Sequence, residues 1–385
     1  MATVRPDLDD ASRRRLLVGG ACGACALCLA RFGFSATEAP PAAFDLGLVR
    51  PRPGLWFDEK ESGDVVCGLC PWNCQLKPGQ TGRCRVRRNH DGVGETLVHG
   101  NPVLVQEDPV ERLPFFHVMP GSRTLSVSTA GCNIHCKFCE VWDMALVEPS
   151  EIHAYDMPPD RIIDQARAAG LNSVSYAFGE PVVFYEYMLD TASQASASGL
   201  RNLLHTAAFI EPAPLAELAR HIDAVNVDLK GLCEKFYSEV CGGKLKPVLD
   251  ALVQLREAGL HLEITNILLP GLNDEPDMVR ELCHWVRDHL GPDTPLHFAR
   301  FYPLYQLSNL PSTPASVVER ARNIGLDSGL HHVYVARMTG HEGENTFCPN
   351  CGNKVIERTG FIVDRVDMTD GRCNQCDHPI AGLWN

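Results

Sequence analysis

The chain has 385 residues, 45% of them hydrophobic, so it can bury full-sized cores in two or three domains and is not a disordered protein. Its net charge of −13 argues against nucleic acid as a partner, because an acidic surface repels the phosphate backbone. Seventeen cysteines would suit a disulfide-rich secreted protein, but eleven of them fall into three groups with metal-ligand spacing. Metal or iron–sulfur binding explains that spacing better than disulfides do.

The first 45 residues have the pattern of a twin-arginine export signal followed by a tether. Arg13 and Arg14 precede a weakly apolar run over residues 18–30, which is too short for an ordinary membrane-spanning helix. Three cysteines repeat inside that run, and we interpret them as small apolar residues rather than ligands: Cys22, Cys25 and Cys28. The signal indicates export or tethering at the inner membrane.

Residues 46–122 are predicted to form a cysteine-rich module with four potential ligands. The spacing is C-x2-C-x3-C-x9-C, and the residues are Cys67, Cys70, Cys74 and Cys84. Pro78, Gly79 and Gly82 allow the tight turns that would bring Cys84 back to the others. We expect a metal here, either zinc or an auxiliary iron–sulfur cluster. The neighbouring Arg83, Arg85, Arg87 and Arg88 suit either an anionic substrate or partner, or a solvated loop.

Residues 123–339 alternate between short apolar runs and helical patterns. The predicted strands cover residues 124–130, 173–178, 201–205, 224–229, 260–268, 295–301 and 331–336. The predicted helices cover residues 159–170, 182–199, 213–222, 248–259, 276–291 and 315–325, several of them ending at a glycine cap. This alternation predicts an α/β fold with parallel strands in a partial (β/α) barrel resembling a TIM barrel, whose chemistry would lie at the carboxyl ends of the strands.

The first of these strands is followed directly by three cysteines, Cys132, Cys136 and Cys139, in the spacing C-x3-C-x2-C. A cubane [4Fe–4S] cluster has four irons, so three thiolates would leave one iron open for an outside ligand. That open iron suits the amino and carboxylate groups of S-adenosylmethionine (SAM), which would place its sulfonium beside an electron source.

Two further polar groups occupy the same place in the repeat. Gly179 and Glu180 follow the second predicted strand, and Asp228 and Lys230 follow the fourth. A turn and a surface ion pair would account for either group alone. Because carboxyl ends of parallel strands meet at one rim, their recurrence there makes them candidate site residues.

Residues 340–385 are predicted to form a C-terminal module resembling a zinc ribbon. Two C-x2-C pairs, 21 residues apart, supply Cys348, Cys351, Cys373 and Cys376. Four thiolates close a tetrahedral zinc site, although an auxiliary iron–sulfur cluster also accepts four. Three other cysteines, Cys233, Cys241 and Cys283, have no such partners and are predicted to be small buried hydrophobes.

The motif CNIHCKFC, with Phe138 before its last cysteine, resembles the radical SAM signature. Further stretches resemble one family in particular, the radical SAM enzymes of the AmmeMemoRadiSam system, which are related to pyruvate formate-lyase activating enzymes. They occur in order between residues 56 and 384: CGLCPWNCQLKPGQTGRCRVRRN, IDAVNVDLKG, LLPGLND, HFARFYPLY, GHEGENTFCPNCG and KVIERTGF.

The resemblance implies a radical SAM barrel fold and a role for each candidate residue. The three cysteines of the motif would ligate a [4Fe–4S] cluster. Gly179 and Glu180 match the family's GGE element, which meets the methionyl amino group of SAM, and Asp228 and Lys230 match its DLK element. Two places depart from the relatives. Phe178-Gly179-Glu180-Pro181 stands for Tyr-Asn-Glu-Pro, and Glu140-Val141-Trp142 stands for Gln-Asn-Trp, which points to an altered substrate side.

The leading hypothesis is therefore an enzyme that cleaves SAM reductively to a 5′-deoxyadenosyl radical, which abstracts hydrogen from an unidentified substrate. One version is a glycyl-radical-enzyme activase, and a separate alternative is a non-catalytic iron–sulfur electron carrier. The expected partners are a low-potential electron donor of the flavodoxin or ferredoxin type and the other two protein types of the AmmeMemoRadiSam system. We expect no nucleic acid partner and no transmembrane helix beyond the signal.

Overall fold

The computed structural model describes residues 43–385. The paired arginines, most of the tether and the three cysteines of the apolar run lie outside this part of the chain, so the interpretation of them stays a prediction. Within the described residues, no helix combines the length and the apolar character needed to cross a membrane.

Short antiparallel strands build most of the module that precedes the barrel. They are β1 (Phe44–Leu46), β2 (Arg52–Pro53), β3 (Phe57–Glu59), β4 (Val65–Cys67), β5 (Cys74–Leu76), β6 (Arg87–His90), β7 (Val93–Thr96) and β8 (Leu104–Pro109). One three-stranded sheet has the order β3-β4-β5, and another has the order β2-β7-β6. Pairing of β4 with β5 sets Cys67 opposite Cys74, so the strand register already joins two predicted ligands.

The core contains all seven predicted strands. Its strands are β9 (Arg123–Ser128), β10 (His153–Tyr155), β11 (Ser173–Tyr176), β12 (Arg201–Thr206), β13 (Ala224–Asp228), β14 (His261–Leu268), β15 (Leu296–Arg300) and β16 (Val333–Ala336). The sheet has the order β16-β15-β14-β13-β12-β11-β9-β8, while β10 pairs with β1 outside it. All neighbours in the sheet are parallel except β8, which runs antiparallel to β9. The two edge strands do not pair, so the barrel is partial, as predicted.

Helices connect the parallel strands as right-handed crossovers require. They are α1 (Trp142–Ala145), α2 (Pro159–Ala168), α3 (Tyr185–Ala197), α4 (Pro212–Leu218), α5 (Glu234–Phe236), α6 (Leu245–Glu257), α7 (Pro276–Leu290) and α8 (Ala315–Asp327). In α7 the buried residues recur at the helical period, at Val279, Leu282, Cys283, Val286 and Leu290. That apolar stripe packs against the sheet, whose own strands are buried on both faces.

One predicted helix end is wrong. The sequence pattern ended the last helix of the core at Gly325, but α8 continues to Asp327. Gly325 lies inside the helix and serves close packing instead of capping, because a β-carbon there would approach both methyl groups of Val333 to 3.0 Å. The left-handed glycine that follows the helix is Gly329, with a φ of 90°.

The C-terminal module consists of two small antiparallel sheets. Its strands are β17 (Thr346–Phe347), β18 (Lys354–Thr359), β19 (Ile362–Val366), β20 (Met368–Thr369) and β21 (Arg372–Cys373). The module is attached to the segment before the barrel, since the Arg358 guanidinium donates to the carbonyl oxygen of Phe116 at 2.6 Å and the amide of Met119 donates to that of Leu383 at 2.8 Å. Residues 43–385 thus cluster as one compact unit.

Candidate active site

The three cysteines of the C-x3-C-x2-C motif lie on the loop after β9, at the carboxyl end of the parallel sheet. Backbone hydrogen bonds hold this loop, because the amides of His135 and Lys137 donate to carbonyl oxygens of the π-helical turn Tyr237–Cys241 at 3.0 and 2.8 Å. One cavity of about 620 Å³ has all three in its wall: Cys132, Cys136 and Cys139. The structure therefore brings the predicted cluster ligands together at a single cavity.

Burial and neighbouring groups shift the pKa values of these three thiols in different directions. Burial raises the pKa of Cys132 well above its ordinary value and that of Cys139 to about 12. The pKa of Cys136 is lowered, because Cys241 forms a hydrogen bond to it and Lys230 lies nearby. Two of the three are thus neutral thiols at pH 7 unless a metal replaces their protons, as iron does when it is ligated by thiolates.

The cavity reaches the ends of all seven parallel strands of the sheet. Its wall includes Cys132 after β9, Phe178 after β11, Thr206 in β12, Asp228 in β13, Thr265 in β14, Ala299 in β15 and Val335 in β16. One cavity can meet all these strands only if the sheet curls around it. This is the position of the chemistry in (β/α) barrels.

Gly179 and Glu180 lie at this rim, as predicted, and are held tightly. A β-carbon on Gly179 would lie 2.6 Å from the Ser128 hydroxyl oxygen, so only glycine fits there. The Glu180 carboxylate accepts from the Thr206 hydroxyl at 2.5 Å and the Ala207 amide at 2.8 Å. Burial raises the pKa of Glu180, and these bonds oppose the rise. Glu180 therefore connects the segment after β11 to the carboxyl end of β12.

Asp228 and Lys230 form a buried ion pair that also includes a histidine the sequence reasoning missed. The Lys230 ammonium lies 3.1 Å from one carboxylate oxygen of Asp228, and His205 Nε2 lies 3.1 Å from the other. Burial alone would raise the pKa of Asp228, but Lys230 and His205 outweigh it and hold that pKa below its usual value. The signal in the sequence that could have found His205 is its position at the end of the predicted strand 201–205, near the same rim.

Lys230 connects this ion pair to the cysteine loop. Its ammonium lies 5.6 Å from the centre of the Phe138 ring, the aromatic residue that precedes Cys139 in the motif. Phe138 and Lys230 both line the cavity. The cysteine motif and the Asp228–Lys230 element, which were predicted from separate stretches of the sequence, are therefore adjacent in space.

The segment Glu140–Val141–Trp142, which departs from the relatives, contacts two partners far along the chain. The Arg337 guanidinium forms an ion pair with Glu140, with a distance of 2.8 Å for the Nη2–Oε2 contact. Trp142 stacks on Tyr305, with ring centroids 5.3 Å apart and planes within 13°. Arg337 and Tyr305 lie more than 160 residues beyond this segment in the sequence, so no local pattern revealed the pairing.

The opposite side of the cavity carries groups that the sequence reasoning did not single out. Burial raises the pKa of Glu111 to about 7, although Arg358, with its Nε 3.9 Å from Glu111 Oε1, opposes the rise. Within residues 43–385, Glu111 Oε2 has no hydrogen-bond partner. Phe361 of the C-terminal module also lines the cavity. This wall therefore offers a carboxyl group able to donate a proton near pH 7, and an aromatic side chain.

The four C-terminal cysteines form a compact site. Cys348 Sγ lies 3.6 Å from Cys376 Sγ, and Cys351 Sγ lies 3.7 Å from Cys373 Sγ. All four sulfurs lie within 4.8 Å of one another. Zinc–sulfur bonds of about 2.3 Å in tetrahedral geometry give sulfur–sulfur edges of about 3.8 Å. The arrangement fits one tetrahedral ion.

The four N-terminal cysteines also converge, at a small cavity against the barrel. Cys67, Cys70, Cys74 and Cys84 all line it. The neighbouring arginines have different surroundings. Arg87 is buried and forms an ion pair with Glu186 at 2.8 Å, and Arg88 forms an ion pair with Glu95 at 2.8 Å. Arg83 remains exposed, with its guanidinium 4.1 Å from the centre of the Trp72 ring. Only part of the predicted basic group is therefore free to meet a partner.

Within residues 43–385, three cysteines lie outside the predicted sets, and they form no disulfide. Cys241 and Cys283 are buried, as predicted, and Cys233 is half-buried.

The family model described as the radical SAM superfamily matches residues 126–283, from β9 into α7. This part of the chain is therefore a domain of that superfamily, whose members are enzymes. It is 38% identical over 331 residues to a protein of Methanocaldococcus jannaschii described as Uncharacterized protein MJ0808, covering 86% of this chain and 98% of the relative. The two chains therefore belong to one family over nearly the whole length of the relative.

Activating enzymes are more distant relatives. The pyruvate formate-lyase-activating enzyme of Clostridium pasteurianum is 23% identical over 175 residues, covering 44% of this chain and 71% of that protein. The benzylsuccinate synthase activating enzyme of Thauera aromatica is 24% identical over 159 residues, covering 38% of this chain and 48% of that protein. The expected homology to activating enzymes is thus confirmed at the level of the radical SAM domain.

Proposed function

We propose that this protein is a radical SAM enzyme of the AmmeMemoRadiSam type that abstracts hydrogen from a substrate held in the barrel. The observation that carries the proposal is the cavity of about 620 Å³, because its wall joins the cysteine loop to the Asp228–Lys230 pair. A cluster that carried electrons alone would not need a cavity of substrate size beside three thiols.

The residues present fit a [4Fe–4S] cluster and SAM. Cys132, Cys136 and Cys139 would ligate three irons, and no fourth cysteine lines this cavity. When bound, the cluster supplies the electron that cleaves SAM to a 5′-deoxyadenosyl radical. Gly179 and Glu180 would meet the methionyl amino group, while Asp228 and Lys230 would hold the methionyl end. All four residues follow or end a strand of the sheet, and hydrogen bonds or an ion pair hold each of them in place.

The substrate side would lie between the Glu140–Arg337 pair and the wall formed by Glu111 and Phe361. Burial raises the pKa of Glu111 to about 7, and the Glu140–Arg337 pair also lines the cavity. The homology to activating enzymes favours one second candidate, a glycyl-radical activase acting on a partner protein. For either activity we propose a flavodoxin- or ferredoxin-type electron donor, and the other two protein types of the AmmeMemoRadiSam system as partners.

For the C-terminal module we propose zinc as the bound metal. The sulfur–sulfur distances of 3.6 and 3.7 Å support it, since they equal the edges of a tetrahedral thiolate site to within about 0.2 Å. With four protein ligands such a site has no open position, so its role would be structural.

Anaerobically reconstituted full-length protein, incubated with SAM and dithionite, should form 5′-deoxyadenosine. Cys136→Ala should abolish its formation, because a ligand of the cluster is lost. Cys283→Ala is the matched control, since it removes a buried thiol in α7 remote from the cavity wall. The absence of 5′-deoxyadenosine from wild-type protein with a verified iron content would refute the proposal.

A further inference from the structure

We infer that the outer side of the cysteine loop carries a docking surface for an acidic electron-transfer protein. This surface, the basic patch, consists of four cations: Arg83, Arg85, Lys137 and Lys244. The inference rests on the proposed function, because an electron donor is needed only if the loop holds a redox-active cluster. It goes beyond that function by assigning the surface at which the donor binds.

The residues of the cysteine loop alternate between two sides. Every second residue from Cys132 to Phe138 lines the cavity of about 620 Å³, whereas the residues between them do not: Asn133, His135 and Lys137. Lys137 is exposed, so this second side of the loop reaches the protein surface. A protein bound there would be separated from the predicted cluster ligands by the loop alone.

Two arginines of the N-terminal module reach the same side. Arg85 Nη1 lies 3.4 Å from His135 Nε2, and Arg83 Nη2 donates to the carbonyl oxygen of Gly242 at 3.4 Å. Gly242 directly follows the π-helical turn that accepts hydrogen bonds from the amides of His135 and Lys137. Both guanidinium groups therefore lie against the cysteine loop or against the turn that holds it.

Trp72 joins the third and fourth parts of the patch. The Arg83 guanidinium lies 4.1 Å from the centre of its ring, and the Lys244 ammonium lies 5.2 Å from it. Lys244 Nζ also donates to the carbonyl oxygen of Pro71 at 3.0 Å. The indole donates to the carbonyl oxygen of Asn133 at 2.6 Å, so the ring is anchored to the cysteine loop. Aromatic and arginine side chains are both enriched at protein interfaces.

The cations of the patch lack acidic partners. Within residues 43–385, none of the four forms an ion pair with a carboxylate, whereas Arg87 and Arg88 of the same segment pair with Glu186 and Glu95. The chain has 48 acidic side chains against 35 lysines and arginines, so carboxylates are plentiful elsewhere. Unpaired cations grouped on an acidic protein create a local positive potential, which attracts and orients an acidic surface.

The position of the patch favours an electron donor over a protein substrate. A substrate would have to reach the cavity, and none of the four cations lines its wall. The step that the patch serves is the transfer of one electron, in which the donor is oxidised, the cluster is reduced and no bond between other atoms changes. The patch brings the donor to the loop and takes no part in the chemistry.

The test mixes anaerobically reconstituted full-length protein with photoreduced flavodoxin, an acidic electron-transfer protein, and follows cluster reduction by stopped-flow absorbance. Arg83→Gln with Lys137→Gln and Lys244→Gln should lower the second-order rate constant at least about tenfold at low salt. The difference should shrink at about 1 M salt, where the Debye length is about 3 Å. Fluorescence anisotropy of labelled flavodoxin should show weaker binding to the same variant.

Two further variants separate the patch from general effects. Lys137→Gln alone changes one exposed side chain and should slow reduction in the same direction, even if the triple variant folds poorly. The matched control removes three exposed arginines on or beside the crossover helices α2, α4 and α8 and should leave the rate constant unchanged: Arg167→Gln, Arg220→Gln and Arg320→Gln.

The outcomes separate this inference from the proposed function. A wild-type cluster that dithionite cannot reduce would contradict the proposed function. If dithionite reduces it fully, the inference is overturned by equal flavodoxin rate constants in wild type and patch variants, by an equal fall in the control, or by no reduction by flavodoxin. Loss of binding to a labelled single-stranded oligonucleotide, with the flavodoxin rate constant unchanged, would also overturn it and assign the patch to nucleic acid.

Discussion

At the scale of single residues, the candidate site depends on a polar pair at the rim of the sheet. The Asp228 carboxylate lies 3.1 Å from the Lys230 ammonium and 3.1 Å from His205 Nε2, and Lys230 is 8% exposed. A buried charge that loses its partner is costly, whereas an exposed pair contributes little. Asp228 therefore carries both the local stability and the charge pattern beside the cysteine loop.

Asp228→Asn should lower the free energy of unfolding by about 3 kcal/mol, because it leaves the Lys230 ammonium buried without a counter-charge. It should also weaken SAM binding at least about tenfold, or about 1.4 kcal/mol, measured by equilibrium dialysis on cluster-loaded protein. Asp250→Asn is the matched control, since Asp250 forms an exposed i,i+4 pair with Lys246 on α6 and should cost less than about 0.5 kcal/mol. Equal effects of the two substitutions would contradict the assignment.

At the scale of elements, the amino-terminal end of the barrel is closed by a buried polar cluster that joins three parts of the chain. Glu263 on β14 accepts from the amides of Phe116 and His117 at 3.0 and 2.9 Å, and it lies 2.7 Å from His297 Nε2. His332, beside β16, is 2% exposed, and its ring packs 4.5 Å from that of His117. This cluster holds the segment on which the C-terminal module docks.

The cluster should make the fold sensitive to acid. Burial lowers the pKa of His332 to about 4, below its ordinary value near 6.5, so the unfolded chain binds a proton that the folded chain refuses between these values. Stability should therefore fall as the pH drops from about 6.5 to about 4, by up to about 1.4 kcal/mol per pH unit for this residue. Burial also lowers the pKa of His117, which acts in the same direction.

His332→Gln should flatten this dependence, as measured by denaturant unfolding at pH 7 and pH 5 on identically loaded protein. The absolute stability of the variant does not matter, because the readout is the difference between the two pH values. His289→Gln removes an exposed histidine of α7 and should keep the wild-type dependence. Identical pH dependence in wild type and His332→Gln would contradict the role of His332.

At the scale of the whole molecule, the paired arginines and the apolar run at residues 18–30 bear on the cellular location of the protein. We propose that residues 1–45 act as a twin-arginine signal that exports the protein or tethers it at the inner membrane. That pathway transports folded proteins with their cofactors, so it is compatible with a bound cluster. The reaction still needs SAM and a low-potential reductant.

Replacing Arg13 and Arg14 with lysine keeps the charge and removes the twin-arginine motif. The variant should accumulate in the cytoplasmic fraction, whereas the wild type should be found in the periplasmic or membrane fraction, as measured by cell fractionation and immunoblotting. Lysine at Arg31, beyond the apolar run, is the control and should leave the distribution unchanged. If the double variant and the wild type distribute alike, the tail is not a targeting signal.

The sequence by itself determined the partial barrel, its seven parallel strands and the position of the cysteine loop. These features are local: period-2 and period-3.6 hydrophobic patterns set the elements, and strand ends set the rim, so Glu180, Asp228 and Lys230 could be placed without coordinates. The exact end of α8 could not, because Gly325 is required by its contact with Val333 and not by the helix itself.

Only the tertiary structure decided which further residues line the cavity and what surrounds the two flanking cysteine sets. Glu111 and Arg337 reach the cavity from distant parts of the chain, and nothing local distinguishes them from ordinary polar residues. Both flanking sets have four cysteines, and the sequence could not show what surrounds their sulfurs. Backbone and packing decide it, because all four C-terminal sulfurs lie within 4.8 Å of one another, while in the N-terminal set the buried Arg87 donates to Cys67 Sγ at 3.2 Å.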